Sequence, residues 1–180
     1  MIDLSAPMLT GNGFRLRHWH IEDAHSLQRH ADDERVSLGL SDRFPWPYSF
    51  EDATAFLNAS ISAPDNVRAI DIEGRAVGGI GVRAGEGEQR ICAEIGYWLG
   101  RDYWGRGLMT RIVASWCDHL FATRPLQRLQ ANVFAANPAS ARVLEKCGFA
   151  FEGTRRQAVI KRGRILDVRM YAKLRGQGAS

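Results

Sequence analysis

The chain has 180 residues, of which 45% are hydrophobic and 24% are charged, and its net charge is +4. This balance is typical of one globular domain with a sizeable core. A membrane-spanning helix is excluded, because no run of about 18 apolar residues occurs. The first residues, Met1–Ser5, contain neither a basic region nor an apolar block. They indicate no secretory signal, and we expect a cytoplasmic protein.

In the first half of the chain, the pattern of apolar residues predicts both strands and helices. The predicted elements are, in order, a strand over 14–17, helices over 21–31 and 51–61, and strands over 68–72, 76–83 and 91–99. The segment 37–49 is predicted to be a loop, because Pro45 and Pro47 exclude a regular helix there. Glu73-Gly74-Arg75 predicts a hairpin turn.

In the second half, helical and strand patterns alternate. The predicted elements are a helix over 108–121, a strand over 126–134, a helix over 138–147, and strands over 152–160 and 165–173. Gly148 is the expected stop of the last helix. Because no linker or repeat divides the chain, this order predicts a single domain over 1–180. Its α/β fold would have one mixed sheet with helices on both faces.

Cysteine, histidine and charge usage argue against several kinds of site. Three cysteines, Cys92, Cys117 and Cys147, are widely spaced and predict buried thiols rather than disulfides. The five histidines lack metal-ligand spacing, so we expect no metal. Eight cationic residues and one acidic residue lie between Arg155 and Arg175. They alternate with apolar residues without stacking aromatics, so a solvated strand face is favoured over nucleic-acid binding.

A glycine-rich turn, Trp104-Gly105-Arg106-Gly107-Leu108-Met109-Thr110, joins a predicted strand to a predicted helix. The helix start has no Ser, Thr, Asp or Asn at its expected N-cap, so several backbone N–H groups lack an obvious partner. Such groups, with the positive end of the helix dipole, form a site for phosphate. Arg106 adds charge, and the Thr110 hydroxyl can reach an oxygen. A turn capped by water is the alternative, and the turn alone predicts only anion binding.

Two other nucleotide-binding motifs are excluded. No Gly-x-x-x-x-Gly-Lys-Ser/Thr sequence occurs, which excludes a P-loop. The segment 79–84 superficially matches a dinucleotide fingerprint, but it lies inside a predicted strand and precedes another strand.

A second segment, Asn137-Pro138-Ala139-Ser140-Ala141-Arg142-Val143-Leu144-Glu145-Lys146-Cys147-Gly148-Phe149, also follows a strand. Asn137 suits an N-cap and Pro138 the first helical position. The pair of segments resembles the two signatures of the GCN5-related N-acetyltransferases (GNAT superfamily). Its RimJ/RimL-like branch is further resembled by Ala93 to Leu99, Leu16-Arg17, Pro47-Tyr48 with Glu51-Asp52-Ala53, and the closing Gly163 and Asp167. The resemblance covers about residues 10–174 and implies a mostly antiparallel sheet of about seven strands.

This resemblance implies a binding site for acetyl-CoA in a gap where two strands separate into a V. Trp98 and Leu99 would offer backbone groups to the pantetheine. The residues implied to bind the pyrophosphate are Gly105, Arg106, Gly107, Leu108, Met109 and Thr110. Asn137 would hydrogen-bond the pantetheine arm, and Ser140 would face the sulfur.

The implied reaction is direct attack of a neutral primary amine on the thioester in a ternary complex. Glu94 is the candidate base, acting through water; an exposed strand carboxylate is the alternative. The tyrosine acid of many relatives is missing, since Leu144-Glu145 stands in its region, and Ser140 is the candidate acid. The glutamate implicated as base in the RimL-like branch falls near Val159. Asp102 replaces the usual Gln or Arg of the first signature.

The acceptor is less clearly indicated. Trp46 and Tyr48 are the candidates for lining the acceptor pocket, and packing is their alternative role. The acceptor would be a protein N-terminus or a small amine. A non-catalytic CoA-binding sensor is the second function that the sequence allows. Homodimers are common in the family that the chain resembles, but no sequence feature establishes one here.

Overall fold

The computed structural model describes residues 9–176. Its strands are β1 (Leu9–Gly11), β2 (Phe14–Arg17), β3 (Val67–Ile72), β4 (Arg75–Ala84), β5 (Cys92–Leu99), β6 (Arg128–Phe134), β7 (Ala150–Lys161) and β8 (Arg164–Leu174). Its α-helices are α1 (Ala24–Ala31), α2 (Glu34–Leu38), α3 (Phe50–Ser62), α4 (Leu108–Thr123) and α5 (Pro138–Lys146). The predicted α/β class is confirmed. Met1–Ser5, from which we expect no secretory signal, lies outside the described residues.

Two short elements were not predicted. β1 has only three residues, and α2 has five, too few for either to show a period of hydrophobicity. α2 begins after Asp33, whose side chain accepts hydrogen bonds from the N–H groups of Arg35 and Val36. The helix ends at Leu38, so it overlaps the start of the predicted loop.

The chain forms two compact units. Within the described residues, the first unit contains 9–81 and 97–112, and the second contains 82–96 and 113–176. The elements β4, β5 and α4 each contribute residues to both units. The single domain over 1–180 stays a prediction.

In the first unit, β1, β2, β3 and β4 are neighbours in that order, and each neighbouring pair is antiparallel. The β1–β2 and β3–β4 pairs are hairpins with short connections, since antiparallel strands need only a few residues between them, whereas α1, α2 and α3 lie between β2 and β3. The buried core of the unit consists of Trp19, Ala24, Leu27, Ala31, Tyr48, Ala53, Leu57, Ala69 and Ala76. The Trp19 ring meets the edge of Phe56 at a centroid distance of 5.4 Å.

In the second unit, the strand order is β5-β6-β8-β7. β5 and β6 are parallel, whereas β6–β8 and β7–β8 are antiparallel. The strand β6 alternates strictly, with Leu129, Ala131 and Val133 buried. Its other face is therefore free to carry polar side chains, including Gln130 and Asn132.

α3 and α5 both begin at side-chain caps, of which the Asn137 cap of α5 was predicted. At α3, Ser49 and Asp52 form a capping box, with the Asp52 N–H donating to Ser49 Oγ at 3.0 Å. At α5, Asn137 Oδ1 accepts from the Ser140 N–H at 3.2 Å. The helix ends at Lys146, and Gly148, just beyond the C-cap residue Cys147, has φ = +82°, so the predicted glycine stop is confirmed.

The fingerprint-like segment 79–84 lies inside β4, so its rejection as a nucleotide motif is confirmed. Two neighbouring glycines of β4, Gly78 and Gly79, have a packing role instead. A Cβ atom on Gly79 would stand 2.8 Å from the Trp98 indole nitrogen, and one on Gly78 would stand 2.5 Å from the Trp98 carbonyl oxygen. Small residues in β4 therefore make room for Trp98.

Candidate active site

The site residues predicted from the sequence divide between the two units. The first unit contains Trp46, Tyr48, Trp98, Leu99, Gly105, Arg106, Gly107, Leu108, Met109 and Thr110. The second unit contains Glu94, Asn137 and Ser140. Among the described residues, no group of three or more metal-ligating side chains occurs. None of the helices in residues 9–176 is long and apolar enough to cross a membrane.

In the first unit, the glycine-rich turn leaves the start of α4 without a side-chain cap. The first recorded bond of the helix joins the Arg111 N–H to the Gly107 carbonyl at 3.3 Å, so Gly107 is the N-cap. The N–H groups of Leu108 and Met109 therefore precede the intrahelical ladder. Because Gly107 has no side chain to accept from them, they are available to an anion.

Both positions of the turn require glycine because of their backbone conformation. Gly105 has φ = +76° and Gly107 has φ = +65°, a region that costs other L-residues about 1–2 kcal/mol. A Cβ atom on Gly105 would meet nothing within 4 Å. The space above this glycine is therefore open, which allows a ligand to approach the backbone closely.

The residues before the glycines hold the turn in place. The Trp104 indole Nε1 donates to the Leu99 carbonyl at 2.7 Å, which closes the chain between β5 and α4. Tyr103 lies between two other side chains, with His30 at a ring-centroid distance of 5.5 Å and the Arg106 guanidinium 5.9 Å from its ring centre. Burial lowers the pKa of His30, so the imidazole that contacts Tyr103 is uncharged near pH 7. The turn is thus fixed by aromatic contacts.

The remaining predicted residues of the first unit have two different environments. Tyr48 is buried in the core beside Phe44, and burial raises its pKa to about 12. Packing is therefore its observed role, and a contact with the acceptor stays a prediction. Trp46 is 44% exposed. The Leu99 carbonyl is occupied by Trp104, so the pantetheine contact of Leu99 also stays a prediction.

In the second unit, the parallel pairing of β5 with β6 is short. It covers three residue pairs and ends at Glu94↔Gln130, although both strands continue. β6 keeps its pairing with β8 through Phe134↔Val168. Beyond Gln130, β6 is therefore paired with β8 along one edge, whereas its ladder with β5 has ended. The V-shaped gap that the family resemblance implies stays a prediction.

Glu94 lies at the point where this pairing ends. Its Oε2 accepts hydrogen bonds from Arg83 Nη2 and from Asn132 Nδ2, both at 3.1 Å. The side chain is 29% exposed, so solvent reaches it. Asn132 in turn accepts from Arg155 Nη2 at 3.4 Å. The candidate base is thus a carboxylate fixed by a chain of side-chain hydrogen bonds, rather than a mobile surface group.

Asn137 and Ser140 are joined by the cap of α5. Because the cap uses Asn137 Oδ1, the Asn137 side-chain amide is the group that would donate to a pantetheine carbonyl. Ser140 is half-buried in the first turn of the helix. Both assigned roles stay predictions.

Val159 stands where the resemblance places a catalytic glutamate. It is a half-buried residue of β7 paired with Leu166, and an apolar side chain cannot serve as a base. Sequence reasoning did not find Asn132 and Arg83, and it named Trp104 only as the first residue of the glycine-rich turn. The alternation of polar and apolar residues in β6 was the available signal for Asn132.

Comparison with known proteins places the chain among acyltransferases. The family description "Acetyltransferase (GNAT) domain" matches residues 14–150. An uncharacterized N-acetyltransferase, p20, from Bacillus licheniformis is 37% identical over 87 residues, which are 48% of this chain and 49% of the relative. The chain thus spans about half the length of the curated relatives that it matches.

Two solved structures share the fold. A GNAT-family acetyltransferase from Bacillus anthracis superposes with a TM-score of 0.83 at 22% identity, covering 92% of this chain and 97% of that one. The ribosomal α-N-protein acetyltransferase RimL in complex with coenzyme A has a TM-score of 0.81 at 22% identity, with coverage of 94% and 98%. The predicted mixed, mostly antiparallel fold is therefore confirmed, with eight strands where about seven were expected.

Proposed function

The chain belongs to the GNAT acetyltransferase family, and we propose that it transfers the acetyl group of acetyl-CoA to a primary amine. The observation that carries this proposal is the start of α4. There an N-cap glycine and an open glycine turn present backbone N–H groups beside Arg106. A pyrophosphate suits such a site, because it accepts several hydrogen bonds and carries negative charge.

Other groups are proposed to hold the pantetheine arm of the cofactor. Support for this comes from Asn137, whose side-chain amide remains to donate, and from the early end of the β5–β6 ladder at Glu94. Backbone groups beyond the end of a ladder can pair with an extended ligand, as an added strand would. Binding through these remote contacts would place the thioester for attack.

The chemistry requires a neutral amine, because an ammonium ion has no lone pair. We propose that Glu94 takes one proton from the amine through a water molecule, using the oxygen that Arg83 and Asn132 do not hold. The amine nitrogen then forms a bond to the acetyl carbon and the carbon–sulfur bond breaks. Ser140 would supply its hydroxyl proton to the departing thiolate and would regain, by way of water, the proton that the nitrogen releases as the amide forms.

The acceptor is proposed to be a peptide N-terminus. RimL, named as an α-N-protein acetyltransferase, shares the fold over nearly its whole length. A small amine is the other proposed class. The cytoplasmic location and a homodimer stay predictions.

Two measurements test the proposal. Calorimetric titration with acetyl-CoA should give binding, and a panel of peptides and small amines should release free thiol at a rate that depends on the acceptor. Absence of acetyl-CoA binding would contradict the proposed function. Binding without release for any amine would instead favour the second candidate, a CoA-binding sensor, which the missing tyrosine acid supports.

A further inference from the structure

The outer strand of the second unit contains a bulge beside a shallow depression. β7 and β8 lose register between Arg155 and Val159, where three residues of β7 stand opposite Asp167. Gln157 has φ = +49°, and its N–H donates to Asp167 Oδ1 at 2.8 Å. Arg156, Gln157 and Asp167 line a depression of about 440 Å³. A strained bulge that re-aims side chains is a feature of functional sites.

The chain segment that contains this depression carries a strong excess of positive charge. Between Arg155 and Arg175 there are eight cationic residues and one acidic residue, Asp167. One oxygen of Asp167 is already occupied by the Gln157 N–H. Within the described residues, the recorded ion pairs of this unit are Arg83–Glu94 and Arg128–Glu152, and neither involves Arg156. The depression therefore favours an anionic group.

A chain of hydrogen bonds connects the bulge to the candidate base. Arg155, directly before the bulge, donates to Asn132 at 3.4 Å, and Asn132 donates to Glu94 at 3.1 Å. β6 and β8 separate β5 from β7 in the sheet, so Glu94 lies about three strand spacings of roughly 4.8 Å from the bulge. An acceptor with its amine at Glu94 would therefore reach Arg156 only with a group beyond its first residue, since one extended residue spans about 3.3–3.6 Å. The α-carboxylate of a free amino acid is too close to its own amine.

We propose that the Arg156 depression binds an acidic side chain in the first few residues of a peptide acceptor. This inference rests on the proposed function, and it deepens that function by naming the acceptor class. A guanidinium binds a carboxylate through paired hydrogen bonds, and Gln157 adds a side-chain amide beside it. RNA is disfavoured, because residues 152–166 contain no aromatic side chain on which a base could stack.

The test compares peptides that differ only in the charge of their third and fourth residues: aspartate, asparagine or lysine. For the natural sequence, kcat/KM should be about tenfold higher for the acidic peptide than for the neutral one, as expected for a charged hydrogen bond. R156Q should reduce this preference to less than about threefold while acetyl-CoA affinity is unchanged. The matched control R164Q, which removes a charge at the far end of the hairpin, should keep the preference.

Equal kcat/KM for acidic and neutral peptides would overturn the inference. It would also be overturned if R156Q and R164Q reduced the preference for the acidic peptide equally. Competition of RNA with the acidic peptide would also overturn it. If no peptide is acetylated, the proposed function fails, but the inference is still decided by peptide binding. Fluorescence anisotropy of labelled peptides with coenzyme A present should then show the same preference, lost in R156Q.

Discussion

The Trp104 indole donates a hydrogen bond to the Leu99 carbonyl across the turn that precedes α4. This bond ties the end of β5 to the glycines that leave the helix start uncapped. Removing the donor in Trp104→Phe keeps an aromatic ring but frees the carbonyl. We expect the Kd for acetyl-CoA to rise about two- to tenfold, the range set by one neutral hydrogen bond. Calorimetric titration well below the unfolding temperature measures this, and an unchanged Kd would show that the turn holds its shape without the bond.

Gly107→Ala should reduce both stability and cofactor affinity. A side chain at φ = +65° costs about 1–2 kcal/mol of unfolding free energy. Relief of this strain would rotate the N-cap, so the Kd for acetyl-CoA should rise about tenfold as charge-assisted bonds are lost. Urea unfolding and calorimetry provide the two readouts.

Gly13→Ala is the matched control for this variant. Gly13 also has a positive φ, +83°, and a Cβ atom there would meet nothing within 4 Å. Its stability loss should be similar, but acetyl-CoA affinity should be unchanged. Equal loss of affinity in both variants would mean that strain alone, and not the position of the N-cap, weakens binding.

Glu94→Gln should lower kcat by about 10²–10⁴, the contribution of a general base, with acetyl-CoA affinity retained. The glutamine keeps an oxygen for Arg83 and Asn132, so the fold should not change. Glu88→Gln, an exposed carboxylate of the same unit, is the matched control and should leave kcat unaltered. Steady-state thiol release measures both, and an active Glu94→Gln enzyme would remove Glu94 from the mechanism.

Asp71→Asn should destabilise the first unit by about 3–5 kcal/mol, because it breaks a buried ion pair. Asp71 is 2% exposed and accepts from Arg17 Nε at 2.7 Å and from Arg15 Nη2 at 2.9 Å. Arg15 is 48% exposed, so Arg15→Gln should cost only about 0–1 kcal/mol. Urea unfolding of the two variants at pH 7 tests this contrast, and similar losses would contradict it.

The same carboxylate predicts a pH dependence. Burial raises the pKa of Asp71, but its hydrogen bonds from Arg17, Arg15 and the Gly74 N–H outweigh this, so the pKa lies below its ordinary value. A depressed folded pKa stabilises the protein above the unfolded pKa, and this stabilisation is lost as the pH falls below about 4. Between pH 5 and pH 3, Asp71→Asn should therefore lose less stability than the natural protein. An equal loss of stability in the two proteins would show that other carboxylates dominate the pH dependence.

The cysteines should differ in reactivity. Burial raises the pKa of Cys117 to about 12 and also raises that of Cys147, so few thiolates exist there at pH 8. Cys92 is partly exposed. Alkylation followed by mass spectrometry should label Cys92 first and the other two only on unfolding. Rapid labelling of Cys117 in the folded protein would contradict its burial.

Local rules explain most of what could be predicted. Strand β2 was predicted with its observed bounds, because alternation is a property of neighbouring residues. The Asn137 cap and the Gly148 stop of α5 follow from the conformations that asparagine and glycine prefer. The turn at Gly105 and Gly107 was predicted for the same reason, as was its suitability for an anion.

The tertiary structure decided which side chains meet. Asn132 reaches Glu94 across 38 positions of the chain, and no local pattern encodes that contact. Tyr48 lies in a loop segment predicted to line a pocket, yet packing against Phe44 buries it. By itself, the sequence determined the longer elements, the Asn137 cap and the uncapped helix start, since these depend on backbone preferences of adjacent residues. The partners of Glu94 and the bulge at Gln157 depend on strand register, which is set only when distant segments bury their apolar faces together.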